Sequence, residues 1–294
     1  MSEKAFPGAH GPVPPDRPFV FINMAMTADG KIATANRVVS SFGSRRDHAH
    51  LLELRATADA VMAGARTVDL NPINLGPGPA RYRRERLRRG LAEYNLRILV
   101  SGTASLDPAA EVFRHRFSPL LLLTTAAAAP GCVAALARQV DAVHVSPGRE
   151  IDFGAALRWL HADWGVRRLL CEGGGGLNDA LFRAGLVDQL HLTICPVVFG
   201  GRKAPTIADG AGSTTLAEAV SLEPTSARRV GGELFAVYDL KKPPAHPPPE
   251  TAASWSGSVP RPAPEASGAA RPSPRRRGGK SRSASAQTTA RGGL

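Results

Sequence analysis

The sequence predicts one α/β domain with a mostly parallel, mixed sheet flanked by helices on both faces. Three observations predict it. Between residues 18 and 240, short apolar runs alternate with helical patterns, the signature of parallel strands joined by crossover helices. The last two apolar runs follow each other with no helix between them, which points to a mixed edge. The chain has 294 residues, 43 % of them hydrophobic and 5 % aromatic. That is enough for one large or two small domains, with a core resting on Leu, Val, Ile and Ala.

Residues 19–26 (FVFINMAM) read as a buried strand. Residues 45–56 read as an amphipathic helix with Leu51, Leu52 and Leu54 on or near its apolar side. Further strands are expected at 59–63 (DAVMA), 97–100 (RILV), 120–123 (LLLL), 142–145 (AVHV) and 167–171 (RRLLC). Helices are expected at 153–162 and 177–184, the second ending at Gly185, where a left-handed cap costs glycine little. Residues 189–198 and 233–240 close the sheet as long strands. No internal repeat is visible.

The flanks differ. Residues 1–17 are rich in Pro and Gly, and residues 241–294 are Pro, Ser, Ala, Gly and Arg with few large apolar side chains. Neither can bury enough surface to offset the entropy of ordering, so both are expected to be disordered around a domain spanning 18–240. The net charge is +12. Ten basic and two acidic residues lie beyond Leu240, a balance of +8 that leaves +4 for everything before it. The high charge therefore describes the tail. Its RRRGGK stretch at 275–280 lacks aromatic interleaving and suggests weak RNA contact at most. Cys132, Cys171 and Cys195 form no CxxC and no zinc or disulfide framework, so no metal is expected and the compartment is a reducing one. The first 18 residues lack a signal-peptide core, and the longest apolar stretch, 120–129 between Pro119 and Pro130, falls far short of the roughly 20 residues of a membrane helix. A soluble, cytoplasmic protein is the expectation.

Chemistry concentrates in three segments. In residues 168–178 (RLLCEGGGGLN) a buried strand runs into four glycines and then a helix. Glycines let backbone N–H groups approach a phosphate, and the helix N-terminus adds partial positive charge. The spacing is neither GxGxxG nor a P-loop, so phosphate binding and a plain strand–helix turn both stand on this segment alone. A β-branched residue at Gly174 or Gly175 would fill that space and forbid positive φ. Glu172 ends the strand and points into the crevice where α/β proteins bind ligands; beside a diphosphate it would be repelled, so it meets substrate. Residues 23–33 (NMAMTADGKIA) end a strand in the Asp29-Gly30 turn, where a loop with Asp29 bonding its own backbone is the plain alternative. Arg55 and the turn 64–68 (GARTV) follow; Arg55 either holds a phosphate or faces solvent. Arg81, Arg83, Arg84, Arg86, Arg88 and Arg89 lie on a helical segment read as a solvated surface.

Together, residues 23–33, 54–68, 170–190 and 196–201 resemble the reductase domain at the C-terminal end of the bifunctional riboflavin-biosynthesis deaminase/reductase. The glycine-rich segment followed by 180–188 (ALFRAGLVD) is the most specific part. The resemblance spans residues 18–240 and implies a dihydrofolate-reductase-like fold, a homodimer, and NADPH-dependent reduction of 5-amino-6-(5-phosphoribosylamino)uracil at its ribose arm. It implies NADPH contacts at Ala25, Thr67, Ser101, Gly174, Gly175, Gly176, Leu177, Asn178, Asp179 and Ala180. It implies substrate contacts at Asn23, Arg55 and Glu172, with Glu172 also catalytic, orienting or helping to protonate the acceptor. The chain departs from the family's pattern at 69–78 (DLNPINLGPG), where Asn71-Pro72 replaces Asp-Pro and a trailing arginine is missing, and at 39–43 (VSSFG). The altered loop motivates an alternative, reduction of a pterin or another heterocycle. A third reading is a nucleic-acid-binding protein acting through its tail. The deaminase's H-x-E and P-C-x-x-C zinc signature is absent from the sequence.

Overall fold

The computed structural model describes residues 11–38 and 40–241, all within one compact unit. In chain order the strands are β1 (Phe19–Thr27), β2 (Ala60–Gly64), β3 (Leu96–Val100), β4 (Leu120–Thr125), β5 (Ala142–Ser146), β6 (Arg168–Cys171), β7 (Gln189–Cys195), β8 (Leu222–Val230) and β9 (Glu233–Leu240). The helices are α1 (Arg45–Arg55), α2 (Ala65–Leu70), α3 (Ala80–Arg88), α4 (Pro130–Ala137), α5 (Phe153–Trp164) and α6 (Gly175–Arg183). The strands form one sheet in the order β5-β4-β3-β2-β6-β1-β7-β9-β8. Strands β1 to β7 pair in parallel, while β9 runs antiparallel to β7 and β8 to β9. The mixed edge is where the missing crossover helix placed it.

Side chains alternate across the sheet because a strand repeats every two residues. From β1, Val20, Ile22 and Met24 join Phe153, Ala156, Leu157 and Leu160 of α5 and Leu177 and Leu181 of α6. Phe19 and Phe21 join Leu54 of α1, Val68 of α2 and Leu136 of α4. Helices therefore cover both faces.

Three elements escaped the sequence reading. Strand β8 (LEPTSARRV) is an exposed edge with a bulge between Pro224 and Ser226, so it carries no apolar face to reveal it. Helix α4 (PGCVAALA) begins with proline and has no polar stripe to mark a period. Helix α2 is only six residues long, in a segment that reads as a turn.

Residues 11–17 differ from the expectation of disorder. Arg17 pairs with Asp188 at 2.7 Å, Arg168 donates to the Gly11 carbonyl at 2.8 Å, and Val13 packs against the Phe19 and Phe21 layer. One apolar side chain and the bonds of two guanidinium groups suffice where composition alone argues against order. Residues 1–10 and the tail from 242 lie outside the described residues. The arginine-rich α3 is solvated at Arg81, Arg84, Arg88 and Arg89, but Arg86 is 1 % exposed. Its guanidinium donates to the carbonyls of Arg55 and Ala92, at 2.7 and 2.9 Å, and to that of Ala58. Burial lowers its pKa to about 10. Among the described residues, no helix is long and apolar enough to cross a membrane.

Candidate active site

Pairing of β1 with β6 stops at Ile22 and Cys171, whereas pairing of β1 with β7 runs on to Thr27 and Cys195. The carboxyl end of β1 therefore borders a gap beyond β6, and a cavity of about 1710 Å³ opens there. This is the crevice at the carboxyl ends of parallel strands where α/β folds take ligands.

Glu172, directly after β6, is fixed by its backbone N–H, which donates to the Met62 carbonyl of β2 at 2.9 Å. Arg55, the last residue of α1, meets it side chain to side chain. Its Nε donates to Glu172 Oε1 and its Nη2 to Oε2, both at 2.6 Å, while Nη1 donates to the Gly76 carbonyl at 2.6 Å. The two side chains are only 8 % and 9 % exposed. Both predicted substrate residues thus line the cavity, but as a pair. The fork engages both Glu172 oxygens as acceptors, and a guanidinium has five N–H groups, so two remain for a ligand. Arg55 is not the solvent-facing residue that its place on a helix allows. Beside the pair, Asn23 is 9 % exposed and its Oδ1 is buried with no hydrogen-bond partner. A buried acceptor without a donor is costly in isolation, so this atom fits a donor from a ligand.

The glycine turn follows Glu172 directly and meets Thr67. The positive φ belongs to Gly173, at 75°, whereas Gly174 has φ −69° and Gly175 begins α6. The expectation that positive φ governs Gly174 and Gly175 is corrected accordingly. Gly175 must be glycine for another reason: a Cβ there would lie 2.5 Å from the Thr206 carbonyl oxygen. The Gly174 N–H donates to Thr67 Oγ1 at 3.0 Å. No side chain caps α6, so the first-turn N–H groups of Gly175, Gly176 and Leu177 keep their hydrogen-bonding capacity. Gly174, Gly175, Gly176, Leu177 and Ala180 line the cavity, as do Ala25, Thr67 and the buried Ser101. The side chains of Asn178 and Asp179 are engaged elsewhere. Asn178 is fully buried and donates to the Ile207 carbonyl at 2.8 Å, and Asp179 accepts from Arg183 at 2.7 Å.

The remaining motifs shape the rim. Gly30 has φ 79°, and the Asp29 carboxylate accepts from Thr27 Oγ1 at 2.5 Å and from the N–H groups of Phe199 and Gly200 at 3.2 and 2.7 Å. These bonds, that of Thr27 first, hold its pKa below the usual carboxylate value. Its partners include the 196–201 segment, a longer-range tie than a bond to its own turn. In the altered loop, Asn71 donates to the Thr67 carbonyl at 2.8 Å and Asn74 accepts from the Gly76 N–H at 2.9 Å. Asn71, Pro72, Ile73, Asn74 and Gly76 all line the cavity, as do Ser40, Ser41, Phe42 and Gly43 from the rim on the α1 side.

Among the lining residues missed from the sequence, one stands out. Asp47, in the first turn of α1, lines the cavity, and its Oδ1 is buried without a hydrogen-bond partner. Burial raises its pKa above the usual carboxylate value. The Glu233 carboxylate pushes the same way, while the Thr193 hydroxyl, His50 and His48 oppose. Glu233, at the start of β9, accepts from the N–H and hydroxyl of Ser44, the N-cap of α1. No spacing motif marks Asp47, because strands β7 and β9 supply its surroundings. Behind the site, burial pushes the thiol of Cys171 up to about 12, and that of Cys195 likewise to about 12. Cys132 is exposed.

Fold and cleft together define an α/β domain of the reductase type, with a large crevice at the carboxyl ends of its central strands. The chain belongs to the RibD C-terminal domain family, whose profile matches residues 18–236. A relative from Methanothermobacter thermautotrophicus, a 2,5-diamino-6-ribosylamino-4(3H)-pyrimidinone 5′-phosphate reductase, is 34% identical over 225 residues, covering 76% of this chain and 99% of that protein. A relative of the same name from Archaeoglobus fulgidus is 32% identical over 194 residues, 66% of this chain and 87% of that protein. Among solved structures, a pyrimidine reductase-like protein from Corynebacterium diphtheriae superposes with a TM-score of 0.64 at 23% identity, over 78% of this chain and 94% of the other. Acinetobacter baumannii RibD superposes with a TM-score of 0.61 at 16% identity, over 77% of this chain and 59% of that one. These neighbours share the dihydrofolate-reductase-like fold expected from the sequence.

Proposed function

We propose that the chain uses NADPH to reduce the ribosyl arm of a phosphorylated ribosylaminopyrimidine to a ribityl arm. One observation carries this reading: the same cavity holds an uncapped helix N-terminus and the Asn23, Arg55 and Glu172 group. The names of the two relatives above support the substrate class. The first-turn N–H groups of α6 would hold the cofactor diphosphate, with Thr67 and Ser101 beside them and Ala25 toward the nicotinamide. Arg66 and Arg149 line the rim and are exposed, and neither has a carboxylate partner among the described residues, which suits a 2′-phosphate. Bound there, the cofactor would supply a hydride to the substrate. Asn23 Oδ1 would accept from the pyrimidine, and the two spare N–H groups of Arg55 would take its acceptors or its phosphate. Glu172 would act through Arg55, holding the guanidinium in place. Positioning of this kind can supply much of a rate enhancement.

The test mixes the purified protein with NADPH and either 2,5-diamino-6-ribosylamino-4(3H)-pyrimidinone 5′-phosphate or the corresponding aminouracil, following loss of reduced-nicotinamide absorbance. Turnover of either pyrimidine is expected, with NADPH bound far better than NADH. Equal affinities would remove the 2′-phosphate assignment. Turnover of a reducible pterin but of neither pyrimidine would move the substrate to the alternative that the 69–78 loop motivates. The three cysteines are all free, which agrees with the reducing cytoplasm as the place of action. The nucleic-acid reading rests on residues outside those described.

A further inference from the structure

Reduction of an imine-like ribosylamine consumes one proton as well as two electrons, and the residues assigned so far offer none. Both Glu172 oxygens accept from Arg55. Asn23 has no proton to release at neutral pH. We propose that Asp47 is the proton donor of this reductase, a role that rests on the function proposed above. Thr193 pairs with Ala25 in the register of β1 and β7, and His191 with Asn23. Asp47 stands over this part of the sheet beside Thr193, while Glu172 follows β6 on the opposite flank of β1. The acid and the Arg55–Glu172 pair therefore bracket the carboxyl end of β1, where Asn23 leaves its own unpartnered oxygen. Asp47 Oδ1 is likewise buried, unpartnered and part of a cavity-lining residue.

The step balances. Opening of the ribose ring moves the exocyclic N–H proton to the ring oxygen, with no net change. Hydride addition at C1′ forms the new C–H bond, the former C=N pair goes to nitrogen, and nitrogen takes the Asp47 proton. Asp47 is left as a carboxylate, NADPH as NADP⁺, and solvent returns the proton through the cavity mouth. The charged and titratable groups facing Asp47 are Glu233 from β9, Cys195 from β7, and His48 and His50 from its own helix. Burial and Glu233 both favour the protonated acid.

Two measurements test the proposal, each on wild type and Asp47→Asn. The first is single-turnover NADPH oxidation across pH. Wild type should lose rate as pH rises through the Asp47 pKa; Asp47→Asn should be slower by about 100-fold, the usual scale for a general acid, and should lose that alkaline limb. Asp47→Glu should restore part of both. The second measurement needs no cofactor. A carboxyl whose folded pKa is raised contributes stability below its unfolded pKa and loses it as pH rises through the folded one. The melting temperature of Asp47→Asn should therefore gain on wild type with rising pH. An alkaline limb that survives in Asp47→Asn, whatever its rate, overturns the proposal, and so does a melting-temperature gap that does not change with pH. If Asp47→Asn does not fold, Asp47→Glu carries the test, and an alkaline limb unmoved in that variant overturns it. Wild type that turns over neither pyrimidine sinks the proposed function instead, a result read before any variant is made.

Discussion

The ion pair of Arg55 and Glu172 sets the behaviour of the site at the level of single side chains. Removing one partner of a buried pair leaves the other uncompensated, typically at about 3–5 kcal/mol. Arg55→Met and Glu172→Gln should each lower the melting temperature, and the double variant should lose less than their sum. A double-mutant cycle by thermal or denaturant unfolding reads this directly; strict additivity would mean that the two do not interact. Both residues were visible in the sequence, one at a strand end and one at a helix end, but their partnership was not. They are 117 residues apart, and no local pattern reports which helix end lands on which strand end. Asn23 was legible through its place in a resembling motif. Asp47 was illegible, since its surroundings come from β7 and β9, far along the chain.

Among elements, the strand–turn–helix unit from β6 to α6 was read nearly to the residue, because an apolar run, a glycine cluster and a helix closed by Gly185 are local signals. The reason for each glycine was not local. A Cβ at Gly175 would strike the Thr206 carbonyl, whereas at Gly176 it would meet nothing closer than the Asp209 carbonyl oxygen at 3.9 Å. Gly176→Ala should therefore fold and bind cofactor much as wild type does. Gly175→Val should displace the 205–209 loop and cost about 1–3 kcal/mol, the range for overpacking. Equal melting temperatures for the two variants would show that the loop gives way freely. Strand β8 marks the limit of periodicity: an edge with little apolar burial has no pattern to read.

For the whole molecule, the strand–helix alternation carried the parallel core, and the missing helix before the last strand carried the mixed edge. Sheet order was not accessible, because β1 ends up central between β6 and β7 through pairings that span most of the chain. Ahead of the domain, Arg17 and Val13 are tied down by partners that composition does not count. At the other end, β9 closes at Leu240, and the Lys241 N–H donates to the Ser221 carbonyl at 3.0 Å. Removal of residues 243–294 should leave the melting temperature and NADPH turnover near their full-length values. A drop of several degrees, on the order expected for a loss of 1 kcal/mol, would show that the tail contributes to the domain.

The placement of the three thiols gives the molecule a built-in clock. Cys132 is exposed, whereas Cys171 and Cys195 are buried on either side of β1, and only a thiolate is readily alkylated. In the native protein, iodoacetamide should modify Cys132 at once and the other two only when the crevice walls part. The delay between the first and later adducts, followed by intact mass, would then time the opening of β6 and β7 separately from α4. A ligand that bridges α6 and the Arg55–Glu172 pair should lengthen the Cys171 delay while leaving the Cys132 rate untouched.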